Sequence, residues 1–104
     1  MISPTRWGRW WSERGLRDLR VLAIEHWDPA NVYDDPANAD LYDAYLQRVG
    51  RMLKRGKGPA EIAKYLGEVR TKVFQKGENE ENDEDFAARI IAWYAVEAPT
   101  KPAG

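Results

Sequence analysis

The chain of 104 residues has no cysteine, a single histidine and no long apolar run, and each scarcity closes a class of function. Without cysteine there is neither a disulfide framework nor a thiolate metal site, and the composition leans toward a cytoplasmic protein. The opening Met1-Ile2-Ser3-Pro4-Thr5-Arg6-Trp7 lacks the apolar core of a signal peptide, and no stretch is long and apolar enough to span a bilayer, so no membrane partner is expected. His26, flanked by Glu25 and Asp28, cannot assemble a zinc site alone, and no acidic stretch has calcium-loop spacing. The plainer reading of His26 is a solvated residue near a helix C-terminus, where the macrodipole favours its charge.

Catalytic groups are equally scarce. There is no nucleophilic cysteine, and neither Ser3 nor Ser12 sits in a strand-turn-helix elbow. Gly56-Lys57-Gly58-Pro59 reads as a helix connection rather than a phosphate cradle, since the proline removes an N–H that a cradle would use. The carboxylates of Asp34, Asp35, Asp40 and Asp43 read as solvated loop charge rather than a general acid and base. No catalytic residue, metal ligand or cofactor is expected, and the protein is not read as an enzyme.

What is present in quantity is aromatic side chain and segregated charge. Five Trp, five Tyr and two Phe can deliver much buried area in a chain of this length, which suits one small domain over 1–104. The net charge of −1 conceals three blocks. Residues 27–47 hold five Asp and no base; residues 48–76 hold nine Lys or Arg against Glu61 and Glu68, a balance of +7; residues 77–98 hold seven acids against Arg89. The first reading is that neighbouring elements of opposite sign neutralise each other. The second is a basic face kept for a partner.

Residues 1–12 form a Trp/Arg-rich segment with Trp7, Trp10 and Trp11 at helical spacing and Pro4 suited to a first helical position after Ser3. Its tryptophans are read as a lid on the core, the alternative being a binding surface. Ser12 is placed to cap a helix over 13–27, which Pro29 ends. Asp35 and Pro36 mark the start of a second helix over 36–55, closed by Gly56. A third over 59–75 follows after so short a connection that the two form an antiparallel hairpin against the first, with Gly77 closing it. Residues 77–85 read as an acidic loop, with Asn82 or Asp83 capping a last helix over 83–97, and residues 99–104 as a frayed tail. No segment shows sustained period-two alternation, so the fold class is all-α, an antiparallel bundle of about four helices. The predicted core is Leu19, Leu22, Trp27, Leu41, Tyr45, Val49, Leu53, Ile62, Leu66, Val69, Phe86 and Ile90.

The chain reversal at Trp27-Asp28-Pro29-Ala30-Asn31 is the hinge. Asp28 is expected to accept backbone N–H groups there, with Trp27 packed beneath against the tyrosines of the second helix. Glu25 to Val32, then Asp40-Leu41-Tyr42-Asp43-Ala44-Tyr45, Leu53-Lys54-Arg55-Gly56 and Glu61-Ile62-Ala63-Lys64-Tyr65-Leu66, resemble the pattern of a group of small uncharacterised bacterial proteins. That pattern is a Trp-Asp-Pro-Ile-Gly-Val turn, a Glu-Tyr-Asp-x-Tyr helix and a glycine-bounded hairpin, and the match covers about residues 16 to 74. Ala30 and Asn31 stand where the pattern has Ile and Gly, and asparagine tolerates the left-handed backbone that such a turn needs. The resemblance implies a small all-helical domain and brings no activity with it.

These features point first to a non-catalytic protein-interaction domain, immunity-like or accessory, with Tyr33, Asp34, Asp35, Asp40 and Asp43 as the candidate partner-binding rim. A nucleic-acid-binding protein is the alternative, through Arg48, Arg51 and Arg55, which share a helix face, and Lys57. An enzyme is the third reading.

Overall fold

The computed structural model describes residues 5–99, and among these it is all-helical, with no strand. Helix α1, Arg6–Trp10, runs on through a π-turn, Trp11–Gly15, into α2, Leu16–His26; Trp10, Trp11, Gly15 and Leu16 all keep right-handed helical dihedrals. The first rod therefore begins at Arg6 rather than near residue 13. Its cap is Thr5, whose hydroxyl accepts the Gly8 N–H at 2.9 Å, and Ser12 lies exposed within the rod. The expected start at Ser3 and Pro4 lies outside the described residues.

Two single turns of 3-10 helix, Val32–Asp34 and Pro36–Asn38, precede α3, Asp43–Lys54. The expected start at Asp35 fails because the Asp35 carboxylate caps no backbone N–H; it accepts the Asn38 side-chain amide at 2.6 Å instead. The α-helical phase therefore cannot be extended back through residues 36–42. Tyr42 is fully buried while Leu41 is 42% exposed, the reverse of the expectation for Leu41.

Gly56, at φ +78°, closes α3, and α4, Pro59–Glu68, continues through a second π-turn, Val69–Val73. The chain then reverses at Gln75, φ +54°, rather than at Gly77, with the Lys76 N–H donated to Arg70 O at 3.0 Å. Val73, the last residue of the π-turn, is 45% exposed, while Arg70, four residues beyond Leu66 on the stripe of Ile62 and Leu66, is buried. Helix α5, Glu80–Glu97, starts earlier than the expected 83: Asn79 Oδ1 accepts the Asn82 N–H at 3.1 Å, and Glu80, Glu81 and Asp83 sit in the first turn, where the macrodipole favours acids. It ends at Ala98, extended before Pro99. Of the expected frayed tail over 99–104, residues 100–104 lie outside the described residues.

Helix α4 packs mainly on α5, while α2 lies against both α3 and α5. The α3–α4 hairpin is thus looser than its short connection suggests. Small residues on α4, Ala60, Ala63 and Gly67, turn toward α5, whereas Arg48 and Tyr65 stand between α3 and α4. The core holds Leu19, Trp27, Val49, Leu53, Ile62, Leu66, Val69, Phe86 and Ile90, joined by Tyr42, Leu46, Ala23, Ala87 and Val32, with Leu22 and Tyr45 half-buried against it. Each large side chain so buried stabilises the fold by about 1.5–3 kcal/mol.

The N-terminal tryptophans belong to this core. Trp10 and Trp11 are buried, and Trp7 stacks on Trp11 at 5.3 Å while donating its indole N–H to the Tyr94 hydroxyl at 2.7 Å. Trp11 lies directly on Gly50: a Cβ there would stand 2.7 Å from its ring, and its indole N–H is donated to Gln47 Oε1 at 2.7 Å. The tryptophan thus docks on the same face of α3 that buries Leu46, Val49 and Leu53.

Candidate functional site

The turn after α2 is held by one carboxylate. Asp28 Oδ1 accepts the Val32 N–H at 2.7 Å and the Tyr42 hydroxyl at 2.6 Å, and Oδ2 accepts the Tyr33 N–H at 3.0 Å. The Tyr42 oxygen in turn accepts the Ala30 N–H at 2.9 Å. Asp28 and Asn31 adopt left-handed backbone, φ +44° and +56°, conformations that these two residue types tolerate best after glycine. Burial first, and the bond to Asp28 second, push the Tyr42 hydroxyl well above the ordinary tyrosine range. Pro29 is buried, and Trp27 packs between Tyr42, at 5.3 Å, and Phe86, at 5.7 Å. Both Asp28 oxygens thereby accept hydrogen bonds within the turn and from Tyr42.

The acidic rim divides in the same way. Asp43 receives a bidentate pair from Arg20, at 2.9 and 2.6 Å, and is half-buried. Tyr33, 70% exposed, and Asp34, Asp35 and Asp40 face solvent. Of the acids in this group, Asp34 and Asp40 are left without an ion pair or side-chain hydrogen bond among the described residues.

A polar cluster that sequence reasoning missed joins three helices inside the molecule. Arg70 and Asp83 are 7% and 4% exposed; Arg70 Nε donates to Asp83 Oδ1 at 3.0 Å, and Trp27 Nε1 donates to the same oxygen at 2.9 Å. Arg70 also donates to the Asn82 side-chain oxygen, and the Asn82 amide donates to the His26 carbonyl at 2.8 Å. The signal was positional. Arg70 falls on the stripe of Ile62 and Leu66, and Asp83 on that of Phe86 and Ile90, so a charge of each sign stands on an apolar face.

The second site lies on the outer side of α3 and α4, which diverge around a groove of about 670 Å³. Arg48, Arg51 and Arg55 line the α3 wall; Glu61, Lys64, Tyr65 and Glu68 line the α4 wall, and Lys57 stands at the connection. The buried face of α3, Leu46, Val49, Gly50 and Leu53, is what turns these arginines outward. Arg48 lies over the Tyr65 ring, 5.0 Å from its centroid, and burial raises the Tyr65 hydroxyl above its ordinary value, with Arg48 opposing. Lys57 pairs with Glu61 at 3.6 Å in an exposed contact worth about 0.3–0.5 kcal/mol. Arg48, Arg51 and Arg55 form no ion pair among the described residues. Neutralisation between neighbouring elements, the first reading of the charge blocks, therefore reaches Arg70 and stops short of the α3 face.

Among the described residues no three His, Asp or Glu side chains converge as a metal ion requires, and no helix is long and apolar enough to cross a membrane. Set against protein-family models, curated proteins and solved structures, the chain matches none of them.

Proposed function

We propose that the protein is a non-catalytic protein-interaction module that docks an acidic segment of its partner in the groove between α3 and α4. The observation that carries this reading is the row of Arg48, Arg51 and Arg55, exposed, unpaired and aligned along one wall. Arginine offers a planar fork of donors suited to carboxylates, and an exposed row of like charge that forms no ion pair is a repulsion from which the fold gains little.

Two features favour a protein over a nucleic acid. Glu61 and Glu68 stand on the opposite wall, where they oppose the unbroken charge of a phosphate backbone, whereas a protein segment can set its acidic residues along the arginine wall and neutral or basic ones toward Glu68. The N-terminal tryptophans and the tyrosine of the groove are engaged elsewhere, since Trp10 and Trp11 are buried, Trp7 is covered by Lys54 at 5.2 Å and Tyr65 by Arg48, and the exposed Tyr33 is not among the residues that line the groove.

The test is a titration of the protein with a blocked glutamate-rich peptide, followed by amide chemical shifts, beside low-salt gel shifts with mixed-sequence DNA and RNA. Saturable shifts at Arg51, Met52 and Tyr65 that vanish in Arg51→Glu/Arg55→Glu are the expected result. A tight, salt-sensitive nucleic-acid complex lost in the same variant would replace this reading with the nucleic-acid one.

A further inference from the structure

The acidic rim and the arginine wall are the two charged surfaces that the fold leaves unmatched, and one helix separates them. Tyr33, Asp34 and Asp40 precede α3, while Arg48, Arg51 and Arg55 project from its later turns. The 12 residues of α3 rise by about 18 Å, a rigid spacer that holds the acids and arginines of one chain apart. Among the described residues no ion pair joins the two surfaces. The rim is an ordered projection rather than a loose acidic run. The Tyr33 N–H is donated to Asp28 Oδ2 at 3.0 Å, the Asp35 N–H to Val32 O at 2.8 Å, and the Asn38 side-chain amide to the Asp35 carboxylate. Tyr33 is the one exposed aromatic side chain among the described residues. Tyrosine and arginine are residue types that dominate binding surfaces, and a segment already held in shape loses little freedom on docking. The acids near the start of α5 differ, since Glu80 and Glu81 sit in its first turn, Asp83 is paired with Arg70 and Asp85 with Arg89.

Resting on the reading of the α3–α4 groove as a dock for acidic segments, we propose that its occupant is the rim of a second copy of this chain, in a two-fold dimer with the α3 helices antiparallel. In that pairing the acidic end of each α3 lies against the arginine end of the other, so both contacts form together and the assembly closes at two copies. Asp34 and Asp40 of one copy meet the wall of Arg48, Arg51 and Arg55 of the other. The Tyr33 ring enters beside Met52 and Tyr65, with its hydroxyl donated to Glu68 on the far wall. Arginines thus receive carboxylates, and the acidic wall receives a neutral donor. A net charge of −1 lets two copies approach without bulk repulsion. Exposed ion pairs are individually weak and screened by salt, so the dimer forms at high concentration and low salt and is dissociated in dilute solution.

The experiment is sedimentation equilibrium of the intact chain over a concentration series at low and high salt, beside two charge-reversed variants at exposed positions, Asp34→Arg/Asp40→Arg and Arg51→Glu/Arg55→Glu. The unaltered chain is expected to pass from one copy to two as concentration rises at low salt, and to return toward one copy at high salt. Either variant alone should weaken the dimer by at least about tenfold, because like charges then face each other in both halves of the interface. An equimolar mixture of the two variants should regain the dimer, since the reversed rim of one meets the reversed groove of the other while the unreversed pair meets as before. That recovery also shows that neither variant lost the dimer by misfolding. An unaltered chain that stays single at millimolar concentration and low salt would overturn the proposal. So would a dimer indifferent to both reversals, a mixture that stays single, or assemblies larger than two copies. The glutamate-rich peptide, titrated into Asp34→Arg/Asp40→Arg with its groove unoccupied, separates this dimer from the groove reading beneath it. A saturating peptide beside an unaltered chain confined to one copy removes the second copy as occupant and keeps the groove as a dock; a peptide that does not saturate removes the dock itself.

Discussion

Arg70 and the Arg48–Arg51–Arg55 row come from the same basic block of sequence and have opposite fates. Arg70 lies on the inward stripe of Ile62 and Leu66 and closes a cluster with Asp83, Trp27 and Asn82; the α3 arginines are turned outward and find no acid. The comparison separates charge that the fold consumes from charge that the fold leaves over. A buried pair contributes little against an apolar replacement of both partners, yet breaking it from one side strands a charge, so its value lies in fixing how three helices meet. An exposed unpaired arginine contributes almost nothing to stability, so its removal is felt only where a partner is present.

The largest expected effect is that of Arg70→Ala, which leaves Asp83 buried without a counter-charge and should cost about 3–5 kcal/mol in urea unfolding. The double change Arg70→Met/Asp83→Leu should recover much of that loss, although Trp27 and Asn82 lose partners. A loss under about 1 kcal/mol for Arg70→Ala would erase the contrast between the two regions.

Asp28→Ala is the next step down. It leaves the Val32 and Tyr33 N–H groups and the Tyr42 hydroxyl without their acceptor and puts alanine at positive φ, so a loss of about 1–3 kcal/mol is expected, with the helical circular-dichroism signal kept at low temperature. Acidic-peptide affinity should hold, since the turn lies outside the groove. Gly50→Ala sharpens the comparison differently. Forcing a methyl group against Trp11 should cost about 1–3 kcal/mol and, if α3 shifts to make room, weaken the acidic peptide as well, because Gly50 lies on the buried face that turns the arginines outward.

How much of this was legible in the sequence depends on the range of the interaction. Helix periods, the Gly56 stop and the apolar stripes of α3, α4 and α5 are local signals, and they place Val49, Leu53, Ile62, Leu66, Phe86 and Ile90 in the core. Leu41 departs from the expected core because the stripe of α3 does not run back through the turn residues before Asp43, where the helical phase differs. Neither π-turn is legible, because nothing in Trp11–Gly15 or Val69–Val73 distinguishes their composition from ordinary helix. The candidate groove was half legible. The arginine row can be read from its spacing, but that no acid reaches it depends on where α5 lies. The Trp27–Asp83 bond spans 56 residues, and no local pattern pairs them.

The smallest predicted change is also the most direct test of the central claim, that the α3 arginines are left over by the fold. Urea unfolding of Arg51→Gln/Arg55→Gln, measured beside Arg70→Ala, should show a stability change within about 1 kcal/mol, reflecting no more than weakened helix-dipole interactions near the C-terminus of α3. A loss comparable to that of Arg70→Ala would contradict the account and make the row a structural element rather than a face held for a partner.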